Sequence, residues 1–310
     1  VNGSIPGSDL EFVEVCRKKL FERREKRAHP FKDDKILVSW NGLMIAAMAM
    51  GGRVLGNPKY TDAAEKSAEF IFNRLVSRDG RLLAVYRGGP SPLKGYADDY
   101  AFMIWGLLEL YETSYKADYL QRALNLNDSM LDLFWDHKKG GFFLYGSDSE
   151  QLIARPKEAY DGAMPSANSA AANNLIRLAR LTGRHELEDK AYQLIKAFSG
   201  NMENYPAGFA YMLCAAILLE AGGTEIIISG EADKGAREFQ KILREGFRPF
   251  TVSMYYNQDS AQESEKLGNL IPYIKNYSTV GGKAAAYVCR NFTCKRPATD
   301  ATAFAEMLKD

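Results

Sequence analysis

The chain has 310 residues, with 40 Lys and Arg against 39 Asp and Glu, 46 % hydrophobic residues and 25 % charged ones. A net charge of +1 excludes the basic surplus of a nucleic-acid-binding protein, and the apolar content excludes a disordered chain. No apolar run of about 18 residues is present, so no membrane span is expected; four Cys are too few for a disulfide scaffold, and a cytoplasmic, reducing compartment is expected.

The opening Val1-Asn2-Gly3-Ser4 lacks the basic and apolar regions of a signal peptide. Asp9 to Arg27 is highly charged, and the spacing of Phe12, Val15, Cys16 and Leu20 predicts an outer, half-exposed helix. From Trp40 onward two helix types alternate. Segments beginning at Trp40, Asp98, Ser166 and Ala207 are apolar nearly all round and read as buried helices. Residues 60–75, 117–135 and 186–198 are amphipathic, with one face for water. Short turns join them at Gly56-Asn57-Pro58, Tyr115-Lys116 and Thr182-Gly183, so the unit is an antiparallel hairpin of one inner and one outer helix. The inner-helix starts at Asn41, Asp99 and Asn168 recur at spacings of 58 and 69 residues, which fits an α/α toroid. Strand-like hairpins at 81–89 and 140–146 precede two of the inner helices.

Near Gly222 the pattern changes. A strand from Glu225, a helix over 233–245 and a strand from Thr251 predict a small parallel α/β appendage. Residues 286–294 read as one more strand, and a short helix follows from Asp300. The division expected is a hairpin-toroid portion over 1–222 and an appendage packed on it over 223–310.

If the inner helices run the same way, their N-termini gather at one face. The residues there are Asp33, Asp34, Trp40, Asn41, Tyr96, Asp98, Asp99, Tyr100, Glu158, Tyr160, Asp161, Ser166, Asn168 and Tyr205. Carboxylates, amides and aromatic rings are the groups that hold a sugar, and glycosidic chemistry needs a carboxylic acid with a second carboxylate. Read as ordinary structure, Asp98 and Asp99 are first-turn acids worth about 0.3–1 kcal/mol to their helix. On the same reading Ser166 is an N-cap and Trp40 fills the core. Asp161 stands apart, in a polar loop where no capping role is evident. His29, His137 and His185 are scattered and lack metal-ligand spacing, so no metal is expected. Cys289 and Cys294 fit neither a redox nor a zinc motif and read as packing thiols. Gly281-Gly282-Lys283 follows no phosphate-loop pattern, so no nucleotide cofactor is expected.

Four segments carry a family resemblance: DDKILVSWNGLMIAA at 33–47, GYADDYAF at 95–102, RPKEAYDGAMPSANS at 155–169 and YVCRNFTC at 287–294. They resemble the spermatogenesis-associated, thioredoxin-domain-containing proteins. The resemblance implies a thioredoxin-like domain followed by a six-hairpin toroid similar to N-acylglucosamine 2-epimerases and unsaturated glucuronyl hydrolases. This chain then reads as the C-terminal part of a longer protein, mainly α, with a partial (α/α)6 toroid of three hairpins and a fourth inner helix. The epimerase relatives use barrel His residues, which these inner helices lack; the hydrolase relatives use acids, and Asp99 and Asp161 match by position. The expectation is a carbohydrate-active protein, hydrolase- or isomerase-like, with Asp99 and Asp161 as its acid/base pair. Asp33, Asp34, Trp40, Asn41, Asp98, Tyr100, Glu158, Tyr160 and Asn168 would bind the saccharide. The alternative is a non-catalytic scaffold that holds clients for a thioredoxin-like partner.

Overall fold

The computed structural model describes residues 7–150, 153–291 and 293–309. They fall into two compact units, one ending at Lys35 and one starting at Ile36. In the first, the charged segment forms α1 (Gly7–Glu25). Leu10, Phe12, Val13, Val15, Leu20 and Phe21 are all exposed, Phe12 by 70 %. The half-exposed amphipathic helix expected here is therefore corrected: its apolar residues are spread around the axis and make no stripe.

The second unit opens with β1 (Ile36–Leu37) and α2 (Val38–Leu55), then α3 (Pro58–Arg74) and β2 (Val85–Tyr86), which pairs antiparallel with β1. There follow α4 (Ala97–Ser114), α5 (Ala117–Phe134), α6 (Ala167–Thr182), α7 (His185–Ala197), α8 (Ser199–Asn204) and α9 (Ala210–Ala221). The three expected hairpins are α2 with α3, α4 with α5 and α6 with α7, and α9 is the fourth inner helix. The turn residues explain the boundaries. Gly56 ends α2 at φ 64°, a left-handed conformation that costs glycine little, and the Asn57 side chain accepts the Lys59 N–H to start α3. Gly183 ends α6 in the same way, at φ 74°.

The inner helices run parallel. At one end the Ser39 N–H of α2 donates to Asp99 of α4. At the other, Arg53 of α2 and Arg177 of α6 both pair with Glu109 of α4, at 2.7 and 2.8 Å, and with Glu112, at 3.8 and 3.4 Å. The two guanidinium groups hold the buried Glu109 carboxyl below the ordinary glutamate range against the burial that opposes them. Removing either partner of such a set leaves an uncompensated buried charge. Between these ends α2 and α4 meet at glycine. A Cβ on Gly42 would sit 2.5 Å from the Phe102 carbonyl carbon, and one on Gly106 would sit 2.9 Å from the Gly42 carbonyl oxygen.

Beyond α9 come β3 (Thr224–Gly230), α10 (Lys234–Arg244), β4 (Thr251–Asn257), α11 (Ala261–Leu270), β5 (Ala285–Arg290), β6 (Thr293–Cys294) and α12 (Ala301–Met307). The sheet order is β4-β3-β5-β6. β3 and β4 are parallel, joined through α10, but β5 runs antiparallel to β3, so the sheet is mixed where an all-parallel one was expected. The expected single tail strand is a hairpin, turning at Asn291 with φ 49°. Its register sets Cys289 opposite Cys294, and the two are disulfide-bonded, which corrects their reading as packing thiols. One sheet face buries Ile226, Ile228, Ala286 and Val288 with Phe239 and Phe304. Ile227 and Met254 join the core of the helical hairpins. Arg180 at the end of α6 pairs with Glu225 of β3 at 2.8 Å, both buried. Among the described residues no helix is long and apolar enough to cross a membrane.

The glycine contact makes the first prediction. Gly42→Ala is expected to destabilise the chain by about 1–3 kcal/mol, because the α2–α4 backbones must separate to admit a methyl group. Gly51→Ala, on the same helix but with only one ring atom at 3.9 Å, is the control; chemical denaturation of the two variants checks this.

Candidate functional site

Asp99 is the third residue of α4, and both its oxygens are engaged. Oδ1 accepts the Ser39 N–H and Oδ2 the Tyr96 N–H, each at 2.8 Å. It is buried, and it ties the start of α2 to the start of α4. Burial and the adjacent Asp98 charge push its carboxyl up to about 7, against the two backbone donors. Asp161 is also occupied. Its Oδ1 accepts the Ser166 N–H at 2.8 Å, and its Oδ2 accepts the N–H groups of Tyr211 and Met212 at 2.8 and 3.2 Å. It therefore caps the beginning of α9 and fastens the loop before α6, which corrects the expectation that this loop acid has no capping role. Two of its three donors, Tyr211 and Met212, lie 50 and 51 residues ahead, beyond what local spacing can reveal.

Other candidates are structural as well. Tyr100 is buried, and its hydroxyl accepts from Arg81 at 2.8 Å and from the Leu82 N–H at 3.1 Å, so the sugar platform expected of it is corrected. Asn41 donates to the Leu37 carbonyl and accepts from Ser67. Trp40 does not fill the core; it is 59 % exposed. Asp33 and Asp34 belong to the first unit, where Asp33 accepts the Lys35 N–H and pairs with the Lys35 ammonium at 3.2 Å.

A cavity of about 320 Å³, a size suited to a small ligand, gathers Asp98, Glu158, Tyr160, Ser166 and Asn168 but not Tyr96 or Tyr205. Its buried floor is Ala97, Phe102, Phe142 and Asn168. Asn168 spends its amide on the Phe142 N–H and on the Phe142 and Glu158 carbonyls, so it holds the wall in place. Asp98 is half-buried in the wall, and Glu158 and Tyr160 stand at the exposed rim with the loop Gly162–Pro165. Burial raises the Asp98 carboxyl above the ordinary aspartate range; two backbone N–H groups oppose this, and the Glu158 charge adds to it. Beside the rim, the Tyr160 and Tyr205 rings lie nearly parallel, 6.4 Å apart. Gly208 runs under both, where a Cβ would fall 2.6 Å from Tyr205 and 2.8 Å from Tyr160. The sequence reading did not name Phe102, Phe142, Leu144 or Met164 as lining residues. The aromatic pair in Gly141-Phe142-Phe143-Leu144 was the available signal.

Two predictions follow from the acids. Asp161→Ala is expected to cost about 1–3 kcal/mol, since it strands three backbone donors; denaturant midpoints check it. For Asp99 the folded chain keeps a proton between the ordinary aspartate value and about 7 that the unfolded chain has released. Stability from this group therefore falls as pH rises through that window. Asp98→Asn removes the neighbouring charge and is expected to flatten that slope, read as melting temperature against pH.

No protein-family model matches the chain. Human spermatogenesis-associated protein 20 is 34 % identical over 309 residues, which cover 95 % of this chain and 39 % of that protein. The rat protein of that name is 33 % identical over 315 residues, covering 97 % and 40 %. The chain thus spans about two fifths of the length of these curated relatives. Among solved structures, a cellobiose 2-epimerase from Bacillus thermoamylovorans superposes with a TM-score of 0.50 at 13 % identity, covering 91 % of this chain and 74 % of that one. Along 95 % of its length, then, this chain is a relative of the spermatogenesis-associated protein 20 family, and its fold is that of an α/α-hairpin toroid with a small α/β addition.

Proposed function

We propose that this protein binds a saccharide in the Asp98–Glu158 cavity and acts on it by acid/base chemistry. The observation that carries the reading is the pair itself: two carboxyl groups that line one cavity, with the Glu158 charge bearing on Asp98, beside an aromatic rim. Asp99 and Asp161 are replaced in that role, because their oxygens already serve backbone donors. Asp98, whose burial favours the protonated form, is the proton donor. Glu158, which lines the same cavity, is the second carboxylate that a hydrolase- or isomerase-like step requires. Tyr160 and Tyr205 offer ring faces to the sugar. The fold shared with an epimerase that acts on cellobiose supports a sugar as the ligand class.

A second reading rests on a different observation. Along α2, Trp40, Met44, Val54 and Leu55 leave an exposed apolar stripe, the kind of surface that marks a docking site. On that reading the chain is a non-catalytic module serving a thioredoxin-like partner.

Asp98→Asn and Glu158→Gln are each expected to lower saccharide turnover by about a hundredfold or more, with melting temperatures near that of the parent. Calorimetric titration and a reducing-sugar assay read the effect. Parent protein that binds no saccharide, while Trp40→Asp abolishes association with a thioredoxin-like domain, would establish the second reading instead.

A further inference from the structure

The lining of the cavity speaks to the charge of what it holds. Its two carboxyl side chains are Asp98 and Glu158, and among the described residues no Lys, Arg or His lines it. The cations nearest in sequence are committed elsewhere. Lys157 donates to Asp136 and to the Gly140 carbonyl, both at 2.8 Å, and lies against the Phe143 ring. Arg155 donates to the Leu133 and Tyr145 carbonyls and lies over the Phe143 ring. Asp98 meets the Asp99 N–H at 3.1 Å and, among the described residues, no cation. Elsewhere in the same unit three buried acids are matched by cations, Glu109 by Arg53 and Arg177, Glu225 by Arg180, and Asp136 by Lys157, while buried Asp99 accepts from backbone N–H groups. Among the described residues no cation pairs with Asp98 or Glu158, and the two share the cavity with apolar walls made by Phe102, Phe142 and Leu144.

An anionic ligand here would meet the Glu158 charge and a second carboxyl group, with no donor of positive charge to offset its desolvation. A neutral sugar would leave the pair as it is. A protonated amine would bring a compensating charge to Glu158, give the Asp98 carboxyl a donor, and sit near aromatic faces, which attract cations. Resting on the saccharide reading above, we infer that the cavity selects a sugar carrying a protonated amine over its neutral and anionic counterparts.

The test is calorimetric titration of the full chain with matched sugars at a pH where the amine is charged. The pairs are glucosamine with glucose, galactosamine with galactose and mannosamine with mannose; glucuronate is the anion and ethanolamine the bare amine. The expected result is one amino sugar bound about tenfold tighter than its neutral partner, with no heat from glucuronate. In the double variant Asp98→Asn/Glu158→Gln, confirmed as folded by its thermal melt, that ratio is expected to drop to near one. Equal binding of the neutral partner, or binding of glucuronate, overturns the inference and leaves the saccharide reading standing. Ethanolamine bound as tightly as the amino sugar overturns the saccharide reading, since the acids would then be holding any amine. A chain that binds none of the sugars overturns both.

Discussion

The arrangement of the second unit depends on how closely α2 and α4 approach. Gly42 and Gly106 let the two backbones touch where any side chain would hold them apart. That contact fixes the two helices in register. At one end it brings the Ser39 N–H to Asp99, and at the other it brings Arg53 to Glu109. The Trp105 ring of α4 stacks on Tyr211 at 5.0 Å, and Arg177 of α6 reaches Glu109, so α6 and α9 are placed from the same axis. Both the helix starts that frame the cavity and the charged layer at the far end follow from it.

The acids of this chain sort by what their oxygens already do. Asp99 and Asp161 accept from backbone N–H groups at helix starts and belong to the scaffold. Glu109, Glu112 and Glu225 answer arginines in the interior. Asp98 and Glu158 are left facing a cavity. Neighbouring residues thus differ in kind: Asp98 and Asp99 share a helix turn, yet one lines the cavity and the other is held in the join between two helices.

Much of this was legible in the chain. The alternation of all-apolar and amphipathic segments marked the inner and outer helices, and the turn residues placed their ends within a few positions. The β3-α10-β4 crossover also read through, because β-branched runs bounded by glycine are a strong local signal. The reversal of β5 did not, since strand direction depends on pairing partners distant in sequence. The Cys289–Cys294 bond was missed because the turn at Asn291 had been read as continuous strand. The site was half legible. Asp98, Glu158 and Tyr160 were on the list, but Asp161 looked unattached because its partners, Tyr211 and Met212, lie in another helix. Tyr100 looked like a ring for sugar because nothing nearby in sequence announces the Arg81 and Leu82 groups that claim its hydroxyl.

The clamp at Asp161 has a consequence for the energetics of recognition. The segment carrying Glu158 and Tyr160 is tied down at several points: Asp161 to α6 and α9, the Asp161 N–H to the Gly208 carbonyl, and the Glu158 carbonyl to Asn168. A rim pinned in this way has surrendered its conformational freedom during folding. A ligand entering the cavity meets a wall that is already assembled, and the entropy of ordering a loop is absent from the binding equilibrium.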